Sequence, residues 1–313
     1  MHSVKLALDW SPNTLHAGFF YALLKGWYLD AGIQLDLINP EENDYVLTPA
    51  KQVANGTAHF GIAPTESVLS YQTLSTPIPL VAVATLLQED TSAIVTLAES
   101  NLTEPKHLDG KLYASYGARY EDCIVKKLIQ NDGGFGMLRI ANPAKLGIWD
   151  TLLENKADAT WVFMPWEGVI AKQNEIELNA FQLKDFGIPY GYSPLLVTHG
   201  DVLENYPDVC KSFLSITAKA FEYVAGNSAE AAAFLCDEMK HPNFDNPDLI
   251  QTSLAMLQDK WMLNKTWGTM EDHVWSDFIQ WLSENNVLCN LDGESLSELN
   301  LNITSLYTNQ YLP

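Results

Sequence analysis

Three times up to Gln130 the chain runs a short apolar strand into a polar turn and then into an amphipathic stretch. The first copy is Val4 to Asp9, the turn Trp10-Ser11-Pro12-Asn13-Thr14-Leu15-His16, and a helical run from Ala17 to Ala31 closed by Gly32. The second is His59 to Ala63, the turn Pro64-Thr65-Glu66, and a helix from Ser67 to about Leu74. The third is Lys111 to Ser115, the turn Tyr116-Gly117-Ala118-Arg119-Tyr120, and a helix from Glu121 to Gln130. Strands that alternate with helices pair in parallel, and open sheets of that kind hold ligands where the carboxyl end of a strand meets the unpaired N–H groups of the next helix. The three turns are therefore the places to look for a site.

The rest of the chain extends this pattern. Ile33 to Ile38 alternates as a strand, and Leu47 to Ala54 has helical spacing ending at the stop signal Asn55-Gly56. Pro79 to Leu87 is a long apolar strand, and Ser92 to Leu97 resumes the β pattern after the polar Gln88-Glu89-Asp90-Thr91, which reads as a crossover between domains. Next come a strand at Leu138 to Ala141, a helix at Lys145 to Asn155, a buried strand at Ala157 to Phe163, and a helix from Met164 to Lys172 with Pro165 in its first turn. Strands at Phe181 to Phe186 and Leu195 to Val197 flank a return crossing, and from Asp201 onward the pattern is helical. The sequence thus predicts an α/β fold of two lobes joined by two hinge crossings. Lobe I is residues 1–90 plus 196–313, lobe II is residues 91–195, and the helical tail packs on the first lobe. Facing turns would line a cleft able to close on a ligand.

Composition narrows the partners. At 313 residues with 47% hydrophobic content the chain can build two cores, but its net charge of −21 is wrong for nucleic acid or anionic membrane surfaces, which need clustered Lys and Arg. Pro77 to Leu87 is about half the roughly 20 residues of a membrane span, and a strand that begins at Val4 reads as an intracellular chain or as a mature form stripped of its leader, the first being favoured. The expectation is a cytoplasmic protein with a small-molecule ligand and no transporter partner. Cys123, Cys210, Cys236 and Cys289 lack disulfide or metal-ligand spacing and read as single thiols, with no metal site expected. On the same reading the sequons at Asn55, Asn101, Asn264 and Asn302 are not sugar sites.

Each candidate contact has a plain structural counterpart. Trp10 is a stacking platform or core, Asn13 a ligand contact or a helix cap, and His16 a functional base or a packed imidazole. Thr65 and Glu66 serve a ligand or the start of the second helix, and Gln88 lies at the first crossing. Gly117 and Arg119 head the third helix, where backbone N–H groups and a guanidinium could hold a carboxylate or phosphate. Tyr116, Tyr120, Trp161, Trp166, Tyr190 and Tyr192 cluster at strand ends of the second lobe; core packing explains half of them, and stacking on a flat heteroaromatic ligand explains the set better. No catalytic signature is present and no catalytic residue is assigned. Glu66, Glu121 and Glu167 could form acid/base pairs, but no spacing brings any two together.

Asp9-Trp10-Ser11-Pro12-Asn13-Thr14-Leu15-His16-Ala17-Gly18, together with Lys25-Gly26-Trp27-Tyr28 and Asn55-Gly56-Thr57-Ala58-His59-Phe60-Gly61-Ile62-Ala63, resembles the thiamine-pyrimidine group of type 2 periplasmic binding proteins. The tail Tyr307-Thr308-Asn309-Gln310-Tyr311-Leu312 is similar to the end of its fungal members. The resemblance implies a two-lobed fold and two kinds of function. Bacterial members are exported receptors that hand formylaminopyrimidine or related ligands to a transporter. Fungal enzymes make the thiamine pyrimidine from pyridoxal phosphate and a histidine of their own chain. In the segment Gly61 to Leu69 the resemblance sets Ala63 and Ser67 opposite the enzymes' cofactor lysine and donor histidine, and their iron-binding cysteine cluster falls in Tyr190 to Thr198, which has no cysteine. An acidic residue expected near the return crossing, to pair with an aminopyrimidine edge, is absent from Tyr190 to Val197. The resemblance thus implies a binding protein of the less characterised leaderless fungal branch, without a cofactor, for a pyrimidine-like or vitamin B6-related molecule. The alternative is a pyrimidine-precursor synthase using pyridoxal phosphate.

Overall fold

Ten strands divide between two sheets that share one order of connection, in a computed structural model that describes residues 1–143, 146–291, 293–296 and 301–313. The first sheet holds β1 (His2–Ala7), β2 (Ile33–Ile38), β3 (Phe60–Ala63) and β4 (Leu80–Thr85); the second holds β5 (Ser92–Leu97), β6 (Leu112–Ala114), β7 (Arg139–Ala141), β8 (Ala159–Phe163) and β9 (Leu178–Phe181). β10 (Leu195–His199) returns to the first sheet, giving the orders β2-β1-β3-β10-β4 and β7-β6-β8-β5-β9. In each sheet the strand that has just crossed from the other lobe inserts antiparallel, β10 between β3 and β4, and β5 between β8 and β9. The other pairs, β1 with β2 and β3, and β6 with β7 and β8, are parallel, as helical crossovers demand. Two domains are thus joined by two connections, between β4 and β5 and between β9 and β10.

The helices largely track the apolar spacing. They are α1 (Ala17–Leu24), α2 (Trp27–Asp30), α3 (Pro49–Ala54), α4 (Thr65–Gln72), α5 (Glu121–Asn131), α6 (Val169–Gln173), α7 (Gly200–Asn205), α8 (Pro207–Gly226), α9 (Ser228–Glu238), α10 (Pro247–Leu257), α11 (Asp272–Glu284) and α12 (Ile303–Leu306). No helix among the described residues is long and apolar enough to cross a membrane.

Several elements depart from the sequence reading. The expected helix Ala17 to Ala31 breaks at Gly26, whose φ of 74° puts it in the left-handed region between α1 and α2. Lys145, the start of another expected helix, lies outside the described residues, and the remainder of that stretch forms one wide turn, Ile148–Leu152. Met164–Gly168 is a similar wide turn ahead of the short α6. The strand expected at Phe181 to Phe186 ends at Phe181, and Leu183–Phe186 is a 3-10 turn. The tail also contains a hairpin, Met262–Leu263 with Thr266–Trp267, between two expected helices in a stretch to which the sequence reading assigned no element.

The tail packs on the first sheet, with the Thr85 amide donating to the Gly268 carbonyl at 2.9 Å and the Thr308 amide to that of Ala82 at 2.9 Å. Its aromatic rings, Trp261 and Trp267, are buried against Phe221 of α8, with Trp267 stacked on Phe221 at a centroid distance of 4.9 Å. The tail reaches lobe II as well, because the hydroxyl of Tyr120 donates to the Cys289 carbonyl at 3.1 Å.

Helices α1 and α8 meet at Gly18, where a methyl group would lie 2.3 Å from the Phe221 ring. Gly18→Ala should therefore cost about 1–3 kcal/mol of stability through overpacking. Urea unfolding would show a lower midpoint with an unchanged slope, and an unchanged midpoint would mean that the contact relaxes without cost.

Candidate functional site

The first turn is built to present Trp10. Asn13 accepts from the Leu15 amide through its side-chain oxygen at 2.8 Å and donates to the Ser11 carbonyl at 2.9 Å, so both ends of its amide are used. The Asn13 backbone N–H points at His16 Nδ1 at 3.4 Å, which leaves Nε2 to donate to Asp9 Oδ1 at 2.8 Å. Asn13 and His16 are buried, and together with Asp9 they brace the turn from within. Trp10, half-buried, stands against Tyr45 with ring centroids 5.0 Å apart and edge-on to Tyr116 of lobe II at 6.1 Å. Tyr45 comes directly after Asp44, and both hold left-handed backbone, φ 61° and 52°. Consecutive non-glycine residues in that region are strained, and such strain gathers at sites where a side chain must be aimed.

The second turn supplies the central polar group. Thr65 opens α4, its amide and hydroxyl both donating to the Tyr192 carbonyl of the return crossing, at 3.1 and 2.6 Å. Gly191 permits that approach, since a methyl group there would sit 3.0 Å from Thr65 and from Phe278. The crossing thereby delivers Tyr190, whose hydroxyl donates to Glu66 Oε2 at 2.7 Å. Glu66 is only 5% exposed, and its other oxygen, Oε1, has no hydrogen-bond partner. The Tyr190 ring tilts against Trp161 of β8 at 5.3 Å, and Trp161 Nε1 donates to Ser92 Oγ at 2.6 Å. Ser92 in turn donates twice to Asp90 Oδ1, at 2.9 and 2.6 Å. Tyr116 closes the circuit, its hydroxyl donating to the Trp161 carbonyl at 3.3 Å.

Trp10, Glu66, Tyr116, Trp161 and Tyr190 are thus linked by ring contacts and hydrogen bonds across the junction of the two lobes. The remaining sequence candidates are engaged elsewhere. Arg119 donates to Thr73 Oγ1 at 2.6 Å and to the Cys289 carbonyl at 3.3 Å, near the far end of α4, about 10 Å of helix away from Glu66. Its guanidinium therefore ties lobe II to the tail and does not head the cleft as the sequence suggested. Tyr120 is buried in the core beside it. Tyr192 accepts through its hydroxyl from the Glu271 amide at 2.9 Å, and Gln88 donates to the Thr269 carbonyl at 3.2 Å, both turned to the tail. Trp166 is buried in the apolar cluster that contains residues of α10. Beside it, Ser253 of α10 bonds both the Pro165 carbonyl and Thr14, a second tie between the lobes.

The expected anion cradle at Gly117 is also spoken for. Glu121 accepts from the Tyr116 amide at 3.0 Å, the Ala118 amide at 3.2 Å and the Tyr113 hydroxyl at 2.8 Å, while the Gly117 amide donates to Ser115 Oγ at 2.9 Å. Sequence spacing could not bring the glutamates together, yet the fold sets Glu66 within electrostatic reach of Glu121 and Asp90, and Glu167 within reach of Asp9. Burial pushes the Glu66 carboxyl up to about 8 against the opposing Tyr190 bond, with Glu121 and Asp90 adding repulsion. Burial likewise pushes Glu167 up to about 7 and Asp90 up to about 6, and it raises Glu121 despite the bonds that the latter accepts. No group of His, Cys, Asp and Glu among the described residues is arranged to hold a metal ion. The four cysteines are free thiols. Sequence reasoning missed Tyr45, Asp9 and Asp90 as parts of the site, and only the left-handed backbone at Tyr45 marks it.

Residues 13–231 match the model of the NMT1/THI5-like family. A formylaminopyrimidine-binding protein of Halalkalibacterium halodurans is 22% identical over 293 residues, 92% of this chain and 87% of that protein. A 4-amino-5-hydroxymethyl-2-methylpyrimidine phosphate synthase of Saccharomyces cerevisiae is 22% identical over 239 residues, 73% of this chain and 68% of the enzyme. Among solved structures, a Candida albicans gene product with the generic periplasmic binding protein fold superposes with a TM-score of 0.71 at 14% identity, covering 99% of this chain and 97% of that one.

A carboxyl whose folded-state pKa is raised holds a proton that the unfolded chain releases, so its contribution to stability is fully present only below about pH 4 and is lost as pH rises toward 8. Glu66, Glu167 and Asp90 all act in that direction. Between about pH 5 and 8.5 the ligand-free protein should lose stability on the order of a few kcal/mol, and Glu66→Gln should flatten that slope. Urea midpoints measured across the range test this; a midpoint that rises with pH, or a Glu66→Gln slope equal to wild type, would contradict it.

Proposed function

The chain belongs to the NMT1/THI5-like family, and from that premise we propose that it is a small-molecule binding protein whose two lobes close on a pyrimidine-like heteroaromatic ligand. The observation that carries the reading is Glu66, a buried carboxyl with Tyr190 on one oxygen and nothing on the other. A buried acceptor without a partner is costly to keep, and an aminopyrimidine edge, with an amino donor beside a ring nitrogen, satisfies it. Protonated Glu66 donates to the ring nitrogen through one oxygen and accepts from the amino group through the other; Tyr190 fixes the carboxyl's orientation. The same pairing serves an ionised carboxylate facing a protonated ring, with the proton moved across the bond. Glu66 takes the part of the acidic residue that the resemblance led one to seek on the return crossing, reached from α4 instead.

The aromatic faces supply the apolar part of the contact. Trp10 from lobe I meets Tyr116 from lobe II edge-on, and Tyr190, with Trp161 against its ring, holds the carboxyl. A flat ring offers such walls two π faces, while its polar edge sets its orientation. The homologue named for binding formylaminopyrimidine and the binding-protein fold of the solved structures support the same class of ligand. Closure would turn on the two connections between the lobes, the second of which carries Tyr190 directly to Glu66.

Titration calorimetry with 4-amino-2-methylpyrimidines, and separately with pyridoxal and pyridoxine, tests the proposal. An aminopyrimidine should bind, and Glu66→Gln should weaken it about 10- to 100-fold, as expected for loss of a buried charge-assisted pairing. Trp10→Ala should also weaken it. No heat with any of these rings, or full affinity in both variants, would overturn the reading.

A further inference from the structure

Where lobe II rests on the tail, two thiols meet that lie far apart in the chain. Arg119 and Tyr120, at the head of α5, both donate to the carbonyl of Cys289, at 3.3 and 3.1 Å. Tyr120 caps α5 with helical backbone, φ −104° and ψ −12°, and Cys123 lies three positions on, the spacing that puts two side chains on one face of a helix. The stripe of α5 that meets Cys289 therefore continues into Cys123. Cys289 is half-buried against the apolar cluster that includes Tyr120 and Ile124, the residue next to Cys123. Burial holds the Cys123 thiol above its ordinary value, and Cys289 is near enough to push it further up, as Asp122 does, against the opposing pull of Lys126 and Lys127.

The two thiols differ in access. Cys123 is exposed, so a solute reaches its sulfur, whereas Cys289 sits behind it as the second partner. Cys289 belongs to a hairpin closed by its own ladder, the Leu296 amide donating to the Leu288 carbonyl at 2.9 Å and the Asn290 amide to that of Glu294 at 3.0 Å. A hairpin held in this way shifts as a unit to meet α5 without breaking either sheet. The contact also matters for motion of the lobes, because Arg119 bonds Thr73 of α4 at the same place, and this flank has to part if the lobes swing open about their two connections. A covalent link between positions 123 and 289 closes a loop of more than half the chain, which removes much of the unfolded chain's freedom and ties lobe II to the tail.

We propose that Cys123 and Cys289 form a reversible disulfide when hydrogen peroxide oxidises the protein, and that this link fastens lobe II to the tail and keeps the lobes from parting. The Cys123 thiolate attacks a peroxide oxygen, the O–O bond breaks, and Cys123 becomes a sulfenic acid while the departing hydroxide takes up the thiol's proton as water. The Cys289 sulfur then attacks the sulfur of Cys123. The S–S bond forms, the S–O bond breaks, and the second hydroxide leaves as water with the Cys289 proton. Both thiols together lose two electrons and two protons, and the peroxide is reduced to two waters. A dithiol such as dithiothreitol reverses the step by exchange.

The test is to treat the full chain with hydrogen peroxide at about pH 8.5, where more of the Cys123 thiol is ionised, to block free thiols with an alkylating agent, and to map the peptides by mass spectrometry. The monomer should lose the mass of two hydrogens, the peptides carrying Cys123 and Cys289 should be recovered joined, and dithiothreitol should separate them. Cys123→Ser and Cys289→Ser should each abolish the link, and a Cys210→Ser, Cys236→Ser double variant should keep it. No link within the chain, a link to another cysteine, dimers alone, or a Cys123 carried on to sulfinic acid would overturn the proposal. The second measurement is the melting temperature, which should rise by several degrees on oxidation of wild type and not in Cys289→Ser, the control for oxidation elsewhere. Equal melting of oxidised and reduced wild type would overturn the claim that the link fastens the lobes. Should Cys289→Ser fail to fold, the wild-type peptide map decides.

Discussion

A carboxyl group held out of water with one oxygen unpaired is an unfavourable thing to build into a core, and the arrangement of this molecule turns on how Glu66 is kept there. Its position in the first turn of α4 gives partial relief, because the N-terminal end of a helix favours negative charge, and the Tyr190 hydroxyl gives more. Neither satisfies Oε1. The return crossing is pinned to the same turn by Thr65, so the bond from Tyr190 is set by the backbone path and not by chance approach of a flexible side chain. Unfavourable groups of this kind persist where surrounding structure over-determines them, and functional clefts are where they gather.

Much of the remaining polar structure serves to hold the walls of the cleft in place. Asp9, His16 and Asn13 brace the turn under Trp10; Glu121 braces the turn under Tyr116; Ser92 braces Trp161. The lobes also touch on both flanks of the cleft, through Thr14, Ser253 and Pro165 on one and through Arg119, Thr73 and Cys289 on the other. Both flanks use residues of the tail, which therefore does more than cover the first sheet. It provides the Cys289 carbonyl, which accepts from Arg119 and Tyr120 of lobe II, and the Ser253 hydroxyl, which donates to the Pro165 carbonyl.

The two-lobed architecture was legible in the sequence because it rests on local signals: apolar strands of the right length, turns at their ends, and helical spacing after them. Elements were lost where local signals are weak. The short wide turns at Ile148–Leu152 and Met164–Gly168 have helical composition without helical length, and β9 is a half-exposed strand whose alternation is poor. The site was legible in part. Trp10, Glu66, Tyr116, Trp161 and Tyr190 lie at strand ends or on the crossing, where topology alone directs them inward. Arg119 looked like a ligand for an anion because its neighbours are glycine and a helix start, but spacing says nothing of whether Glu121 will fill the same amides first. Tyr45, in a polar loop without periodicity, gave no signal at all, and the pairing of Glu66 with Tyr190 spans 124 positions of sequence.

The binding role of the cleft stands on the state of one carboxyl, and that state can be read directly. Carbon-13 NMR of the side-chain carboxyls in glutamate-labelled protein, with the Glu66 resonance assigned by its loss in Glu66→Gln, would follow its titration with and without 4-amino-2-methylpyrimidine. The expected result is a carboxyl that titrates near 8 in the free protein and whose resonance shifts when the aminopyrimidine is added. A Glu66 resonance that titrates in the ordinary carboxylate range and ignores the added ring would contradict the assignment of this cleft as the binding site.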